Sequence, residues 1–304
     1  MSAERNFSRP ARIAAIAPYL WMAAFFLVPF VFILKISLSQ TVIAQPPYAP
    51  AFTLAEGLQG LKTAFAQLSA DNFKLLLSDS LYVASYLRSV MVAAVSTLIL
   101  VLLAYPIAYG MARLPRRWQP MAMMLVIVPF WTSFLIRIYA WINILQRDGL
   151  LNDVLIALKI VDAPVVWLAT DTAMYIGIVY SYLPFMVLPL FAVLSRMDAA
   201  LLEAAADLGC SRLKAFWLVT LPLSLPGIGA GALLCFIPIT GEFVIPDLLA
   251  GSEQMMIGQT LWGEFFTNRD WPVASAIAVV LLVVLLVPLL AYDRLQRRQL
   301  EGRP

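Results

Sequence analysis

Six runs with no charged residue, 13–34, 89–112, 118–136, 172–195, 215–241 and 271–292, decide what this chain can fold into. At a rise of about 1.5 Å per residue, each can cross a hydrocarbon layer about 30 Å thick, with allowance for tilt. Lipid offers no hydrogen bonds, so each run must satisfy its own N–H and C=O groups as a helix. With their ends adjusted by a few residues, the predicted spans are 13–36, 88–112, 118–141, 172–195, 220–246 and 271–292. The expected class is an all-α membrane protein of six transmembrane helices, with residues 1–304 as one transmembrane domain.

Composition agrees. Hydrophobic residues make up 62% of the chain and charged residues 13%, where about 25% is usual for a soluble domain. The first run follows Arg5, Arg9 and Arg12, as a signal peptide would. Its apolar core is too long for one, and no small-x-small cleavage site ends it, so a retained helix is expected. Cys210 and Cys235 are too few for a disulfide framework and form no CxxC pair, so they read as small packing residues. The chain has no histidine, which removes the usual general base and the commonest metal ligand. No catalytic residue and no metal site is expected.

Lysine and arginine set the orientation. With both termini cytoplasmic, that side holds Arg5, Arg9, Arg12, Arg113, Arg116, Arg117, Arg196, Arg212, Lys214, Arg294, Arg297, Arg298 and Arg303. The segments 39–88, 137–171 and 242–270 then face outward and are together net acidic. Topology accounts for these arginines, and no nucleic-acid partner is needed.

Between the fourth and fifth spans the inward loop 196–219 carries the stretch EAAADLG, Glu203 to Gly209. Asp198 is suited to cap a helix over 199–208, which is rich in strong helix formers, and Gly209 to end it with positive φ. Ser211 can cap a second helix that runs into span five. Leu201, Ala205 and Leu208 share one face; Glu203 and Asp207 lie on another, at a spacing where like charges repel. A helix this short is marginal in water and needs a partner to hold it. An interfacial helix on lipid usually carries lysine and arginine on its polar side. Here that side is acidic, which leaves docking into a protein groove as an alternative to a lipid-surface role.

The stretch EAAADLGCSRLKAFWLVTLPLSLPGI closely resembles the EAA loop of importer-type ABC transporter permeases, with Glu203, Ala204, Ala205, Gly209, Leu221 and Pro222 at the positions of that pattern. The resemblance implies the six-helix ABC importer permease fold in a bacterial inner membrane. It also implies that 196–219 forms a cytoplasmic coupling helix, with Glu203, Ala204, Ala205, Asp207 and Gly209 meeting an ATPase subunit. The implied partners are an ATPase dimer, a second homologous permease and a periplasmic solute-binding protein. No G-x-x-x-x-G-K-[ST] motif occurs in the chain, so ATP and Mg²⁺ are expected on the ATPase and no cofactor on this chain. Four further stretches, PFWTSFLIRIYAW (129–141), GIVYSYLPFMVLPL (177–190), GEFVIPDLL (241–249) and NRDWPVASA (268–276), resemble polyamine permeases, the putrescine subgroup especially. Spermidine-type relatives tend to lack an acid at the position of Glu242, which points the resemblance toward putrescine. Spermidine, an amino acid or an opine remain alternative cargoes.

A diamine needs carboxylates for its ammonium ends and aromatic faces for the chain between them. Glu242 is the leading candidate, because it follows Gly241 between Pro238 and Pro246, where a break in span five would let backbone line a cavity. It could equally pair with Arg137, at a similar depth, or end a helix in solvent. Asp270 and Trp271 at the start of span six are further candidates, with an N-cap as the alternative for Asp270. Trp131, Tyr180 and Tyr182 could face a cation or simply pack. The outer stretches DNFKLLLSDSLYVASYLRS and LLNDVLIALKIVDAPVVWL mix apolar periodicity with charge, as interfacial helices do.

Other classes fit less well. A secondary transporter would show internal repeats and ionisable residues deep in its spans, and an intramembrane hydrolase would need an activated nucleophile beside a base. The GIGAG stretch at 227–231 lies in an apolar run and reads as close helix packing rather than a nucleotide loop.

Overall fold

A computed structural model describes residues 16, 18–51, 67–251 and 255–301. The predicted start of span one, together with Arg5, Arg9, Arg12 and Arg303, lies outside the described residues.

In chain order the helices begin with α1 (Pro18–Ser37), followed by a short antiparallel pair, β1 (Gln40–Thr41) and β2 (Tyr48–Ala49). Then come α2 (Asp71–Ser78), α3 (Ser80–Arg113), α4 (Gln119–Ile127), a 3₁₀ turn over Val128–Trp131, α5 (Phe134–Leu145) and α6 (Leu150–Ala157). The rest is α7 (Asp171–Leu194), α8 (Ala199–Asp207), α9 (Arg212–Thr240), α10 (Val244–Leu249), α11 (Ile257–Trp262) and α12 (Trp271–Glu301). Helices α1, α3, α7, α9 and the Trp271–Arg294 part of α12 are long and apolar enough to cross a membrane. Counting the bent pair Gln119–Trp131 and Phe134–Ala157, which meet at 88°, as one broken span makes six, with this one third in chain order.

That break corrects the uninterrupted span predicted over 118–141. Pro129 brings no N–H to the ladder, and Thr132 and Ser133 then take extended backbone, with φ/ψ of −83/153° and −55/137°. The Thr132 hydroxyl donates to the Pro129 carbonyl at 2.7 Å, which satisfies a group the break would orphan. A second difference lies at α3, which starts at Ser80 rather than 88. Arg88 is no barrier there, because its guanidinium bonds the Asp171 carboxylate at the start of α7.

By its internal contacts the chain divides into two compact units, Met1–Val83 with Leu261–Val283, and Ala84–Thr260 with Val284–Pro304. The core of the second gathers α3, α5, α7, α9 and α10 around fully buried Leu100, Ile138, Met174, Ile178, Met186, Leu190, Ile239, Ile245 and Leu249. Helices α7 and α9 approach closely through the predicted glycine run. A Cβ on Gly227 would lie 3.1 Å from the Pro189 carbonyl oxygen, and one on Gly231 would lie 2.7 Å from Met186 Sδ. Small residues at such a crossing let two backbones gain dispersion contact that lipid cannot supply.

Residues 146–167 fold around one side chain. Asn152 is 1% exposed. Its Nδ2 donates to the carbonyls of Gln146, Arg147 and Val165, and its Oδ1 accepts from Val165 N–H at 3.1 Å and Trp167 Nε1 at 3.0 Å.

Candidate functional site

The loop between α7 and α9 forms as its residues dictate. The Asp198 carboxylate accepts the Ala200 N–H at 3.0 Å and starts α8, and Gly209, at φ 79°, ends it. The Ser211 hydroxyl accepts the Lys214 N–H at 3.3 Å and starts α9. Of the predicted apolar stripe only Ala205 is buried; Leu201 and Leu208 are exposed, Leu208 to 85%. Glu203, Ala204 and Asp207 are exposed too. The helix thus presents two leucines and two carboxylates outward, and Leu213, Trp217 and Leu218 on α9 are also exposed. A helix of nine residues that leaves Leu201 exposed, with Leu208 exposed just after it, is unfinished as a folding unit.

Further along the second unit, α9 ends at Thr240, at the predicted break. Glu242 is 9% exposed. Its Oε1 accepts the N–H groups of Phe243, Val244 and Ile245 at 3.2, 3.1 and 3.4 Å, which caps α10. Its Oε2 accepts the Tyr182 hydroxyl of α7 at 2.5 Å. An ionised carboxylate has about four lone-pair directions. Oε1 is saturated, while Oε2 keeps one free for a further donor.

Glu242 and Arg137 do not pair; no ion pair joins them. Arg137 lies instead over the Phe130 ring, 4.4 Å from its centroid, and 5.7 Å from that of Phe134. Phe130 meets Phe185 edge-on at 5.4 Å, and Phe185 lies 6.0 Å from Tyr182. Cation and carboxylate are therefore linked through a run of three rings. The Arg137 Nε and Nη1 are buried with no hydrogen-bond partner among the described residues.

Two of the predicted substrate residues, Glu242 and Tyr182, come together. Tyr180 meets Trp141 edge-on at 5.4 Å, and Trp131 stands 78% exposed at the break of the third span. Asp270 and Trp271 belong to the first compact unit. There Asp270 Oδ1 accepts the Val273 N–H at 3.1 Å, capping α12, and also the Thr41 hydroxyl at 2.6 Å. Trp271 stacks on Phe265 at 5.2 Å and lies 6.3 Å from Tyr48, whose ring also faces Lys35 Nζ at 4.5 Å. Sequence reasoning overlooked Lys35, Tyr48 and Phe265, and it also overlooked Asn152, whose polar side chain in an apolar stretch was a usable signal.

Comparison with known proteins completes the picture. Residues 101–300 match the family described as binding-protein-dependent transport system inner membrane component. The chain is 42% identical over 227 residues to the spermidine/putrescine transport system permease protein PotB of Escherichia coli (strain K12), covering 75% of this chain and 82% of that one. Among solved structures it resembles a bacterial ABC transporter involved in import of the acidic polysaccharide alginate, with a TM-score of 0.72, 16% identity and 94% of each chain covered. It also resembles the bacterial alginate ABC transporter in complex with an alginate pentasaccharide-bound periplasmic protein, with a TM-score of 0.65, 18% identity, and 94% and 96% of the two chains covered. Identities this low carry the fold alone.

Proposed function

This chain belongs to the binding-protein-dependent transport system inner membrane components, the permease subunits of ABC importers, and from that premise we propose that its cargo is a polyamine, putrescine first. It is a multi-pass inner-membrane protein and a transport subunit rather than an enzyme. The polyamine reading draws on the likeness to a permease named for spermidine and putrescine. The observation that carries it in the structure is the carboxylate of Glu242, held against Tyr182 with a lone pair of Oε2 still open. An ammonium group donates to such an oxygen with the strength of a charge-assisted bond. The neighbouring rings of Tyr182 and Phe185 offer faces to the methylene chain and the second charge. Tyr180 and Trp131 remain in the proposed path as further aromatic groups, and Asp270 and Trp271 are proposed as a separate acidic and aromatic pair within their own unit.

In this reading residues 1–304 act as one permease domain with both termini cytoplasmic. It works with a second, homologous permease, an ATPase dimer that binds ATP and Mg²⁺, and a periplasmic polyamine-binding protein. The loop 196–219 is the coupling element: Glu203, Ala204, Ala205, Asp207 and Gly209 enter a cleft of the ATPase, where the exposed leucines of α8 find their cover. ATP-driven closure of the ATPases pulls on α8, and the spans exchange outward for inward access because the ligands bind the two states unequally.

Uptake of labelled putrescine by a strain lacking its own polyamine importers tests the cargo. Unlabelled putrescine should compete best, spermidine less and arginine not at all. Competition led by arginine would move the cargo to the amino acids or opines.

A further inference from the structure

We propose that the cleft between α3 and the first half of α9 holds one acyl chain of an anionic phospholipid, drawn from the leaflet at the basic end of these helices. Its volume is ≈ 450 Å³, and its walls include Val101, Tyr105 and Tyr109 of α3 with Phe216, Trp217 and Ile228 of α9. Those residues extend over about 12 Å of α3 and about 18 Å of α9. Spread over such a length, the volume gives a cross-section of about 25–40 Å², a slot about 5–6 Å wide. Carbon atoms in contact lie about 3.5–4.0 Å apart, so a polymethylene chain one carbon thick fits. A helix, about 10–12 Å across with its side chains, does not.

The walls hold their shape through contacts of their own. The Phe216 ring meets Tyr105 edge-on at 5.6 Å and Tyr109 edge-on at 6.1 Å. Both tyrosine hydroxyls are engaged: that of Tyr105 bonds Ser224 Oγ at 3.0 Å, and that of Tyr109 accepts from Arg113 at 2.7 Å. Among the described residues no charged side chain lines the cleft. Tyr105 is buried at its floor, while Leu102 and Trp217 stand exposed along its rim. A chain that leaves the bilayer for such a slot gains no hydrophobic energy, because lipid tails are apolar already. It gains dispersion contact with fixed walls, and that gain is nearly the same for any phospholipid.

Charge at the mouth makes the choice. Arg113 ends α3, Arg116 and Arg117 follow it, and Arg212 and Lys214 lie in the first turn of α9; all five are exposed. No acid occurs in 109–119 or 211–228. Measured along the helices from Arg113 and Arg212, the walls begin about 6 Å deeper and end at about 18 and 24 Å. That range takes in one leaflet's share, about 15 Å, of the hydrocarbon layer. A headgroup phosphate level with these cations therefore stands above the slot, with its chain directed along it. Basic clusters at the ends of spans favour anionic headgroups. The occupant would splint α3 to α9 directly after the loop 196–219. None of this rests on the identity of the cargo.

The test uses the assembled importer in nanodiscs of phosphatidylcholine that contain increasing amounts of phosphatidylglycerol with brominated acyl chains, which quench tryptophan fluorescence on contact. The share belonging to Trp217 is the difference between the wild type and Trp217→Phe, which keeps a ring in the wall. Brominated phosphatidylglycerol should half-quench that share at a mole fraction about tenfold lower than brominated phosphatidylcholine does, and raised salt should abolish the difference. Arg116→Gln combined with Arg117→Gln and Lys214→Gln should bring the two lipids together. Val101→Phe and Leu102→Phe narrow the slot and should do the same; Leu102, on the exposed rim, guards against a variant that misfolds. Equal quenching by the two lipids in the wild type would reduce the cleft to ordinary lipid contact and overturn the site. Quenching by neither lipid would show that protein covers the cleft, the second permease for example, and would overturn it too, as would a preference left intact in both phenylalanine variants. Loss of putrescine uptake with the lipid preference intact would count against the transport reading and leave the site standing.

Discussion

The Tyr182 hydroxyl reaches across from α7 to the Glu242 carboxylate at 2.5 Å and ties the middle of one span to the broken end of another. The same carboxylate caps α10 through three N–H groups. One acid thus fixes the geometry of the break and keeps a negative charge beside it. The two roles separate by substitution.

Glu242→Gln keeps an oxygen for the α10 cap and removes the charge. Loss of a charged hydrogen bond of about 1.5–3 kcal/mol should lower the maximal rate of putrescine uptake by roughly 10–100-fold. The complex should still assemble, as size-exclusion chromatography of the purified importer would reveal. Failed assembly would make Glu242 a structural cap only.

Gly258 lies under the same turn. A Cβ there would come within 2.6 Å of the carbonyl oxygens of both Gly241 and Glu242. Backbone atoms cannot swing aside as a side chain can, so Gly258→Ala should shift the turn and cost about 1–3 kcal/mol, the range of overpacking. A lowered thermal midpoint together with reduced uptake is the expected result.

Asn152 cross-links the segment 146–167 through five hydrogen bonds. Asn152→Leu leaves the Trp167 Nε1 and the Val165 N–H without their acceptor, and each buried orphan costs about 1–3 kcal/mol. Limited proteolysis should then cut between α6 and α7 faster than in the wild type.

Gly209 has φ 79° and open space around the missing Cβ. Gly209→Val therefore meets backbone strain and no clash, about 1–2 kcal/mol for a residue forced left-handed. ATP hydrolysis stimulated by the loaded binding protein should fall, while Gly209→Asn, better suited to that conformation, should stay near wild type.

Much of this architecture is legible along the chain. Uncharged runs mark the spans because charge in hydrocarbon is costly, and Asp198, Gly209 and Ser211 mark the ends of α8 and the start of α9 because caps are local chemistry. The 88° bend is not legible in the same way. Pro106, Pro184 and Pro189 sit inside unbroken helices, so Pro129 does not by itself announce a break; the extended Thr132 and Ser133 after it decide the matter. Helix pairing is hidden as well. Nothing in the spacing of Tyr182, Phe185, Phe130 and Arg137 says that rings would stand where an Arg137–Glu242 ion pair was conceivable.

The central claim is that α8 transmits the work of an ATPase to a polyamine path through this bundle. ATP-driven accumulation of labelled putrescine in proteoliposomes holding the permease pair, the ATPases and the binding protein measures it most directly. Accumulation should require ATP and vanish with Glu203→Lys while the subunits remain associated. Undiminished accumulation after the residues of α8 have been scrambled would contradict it.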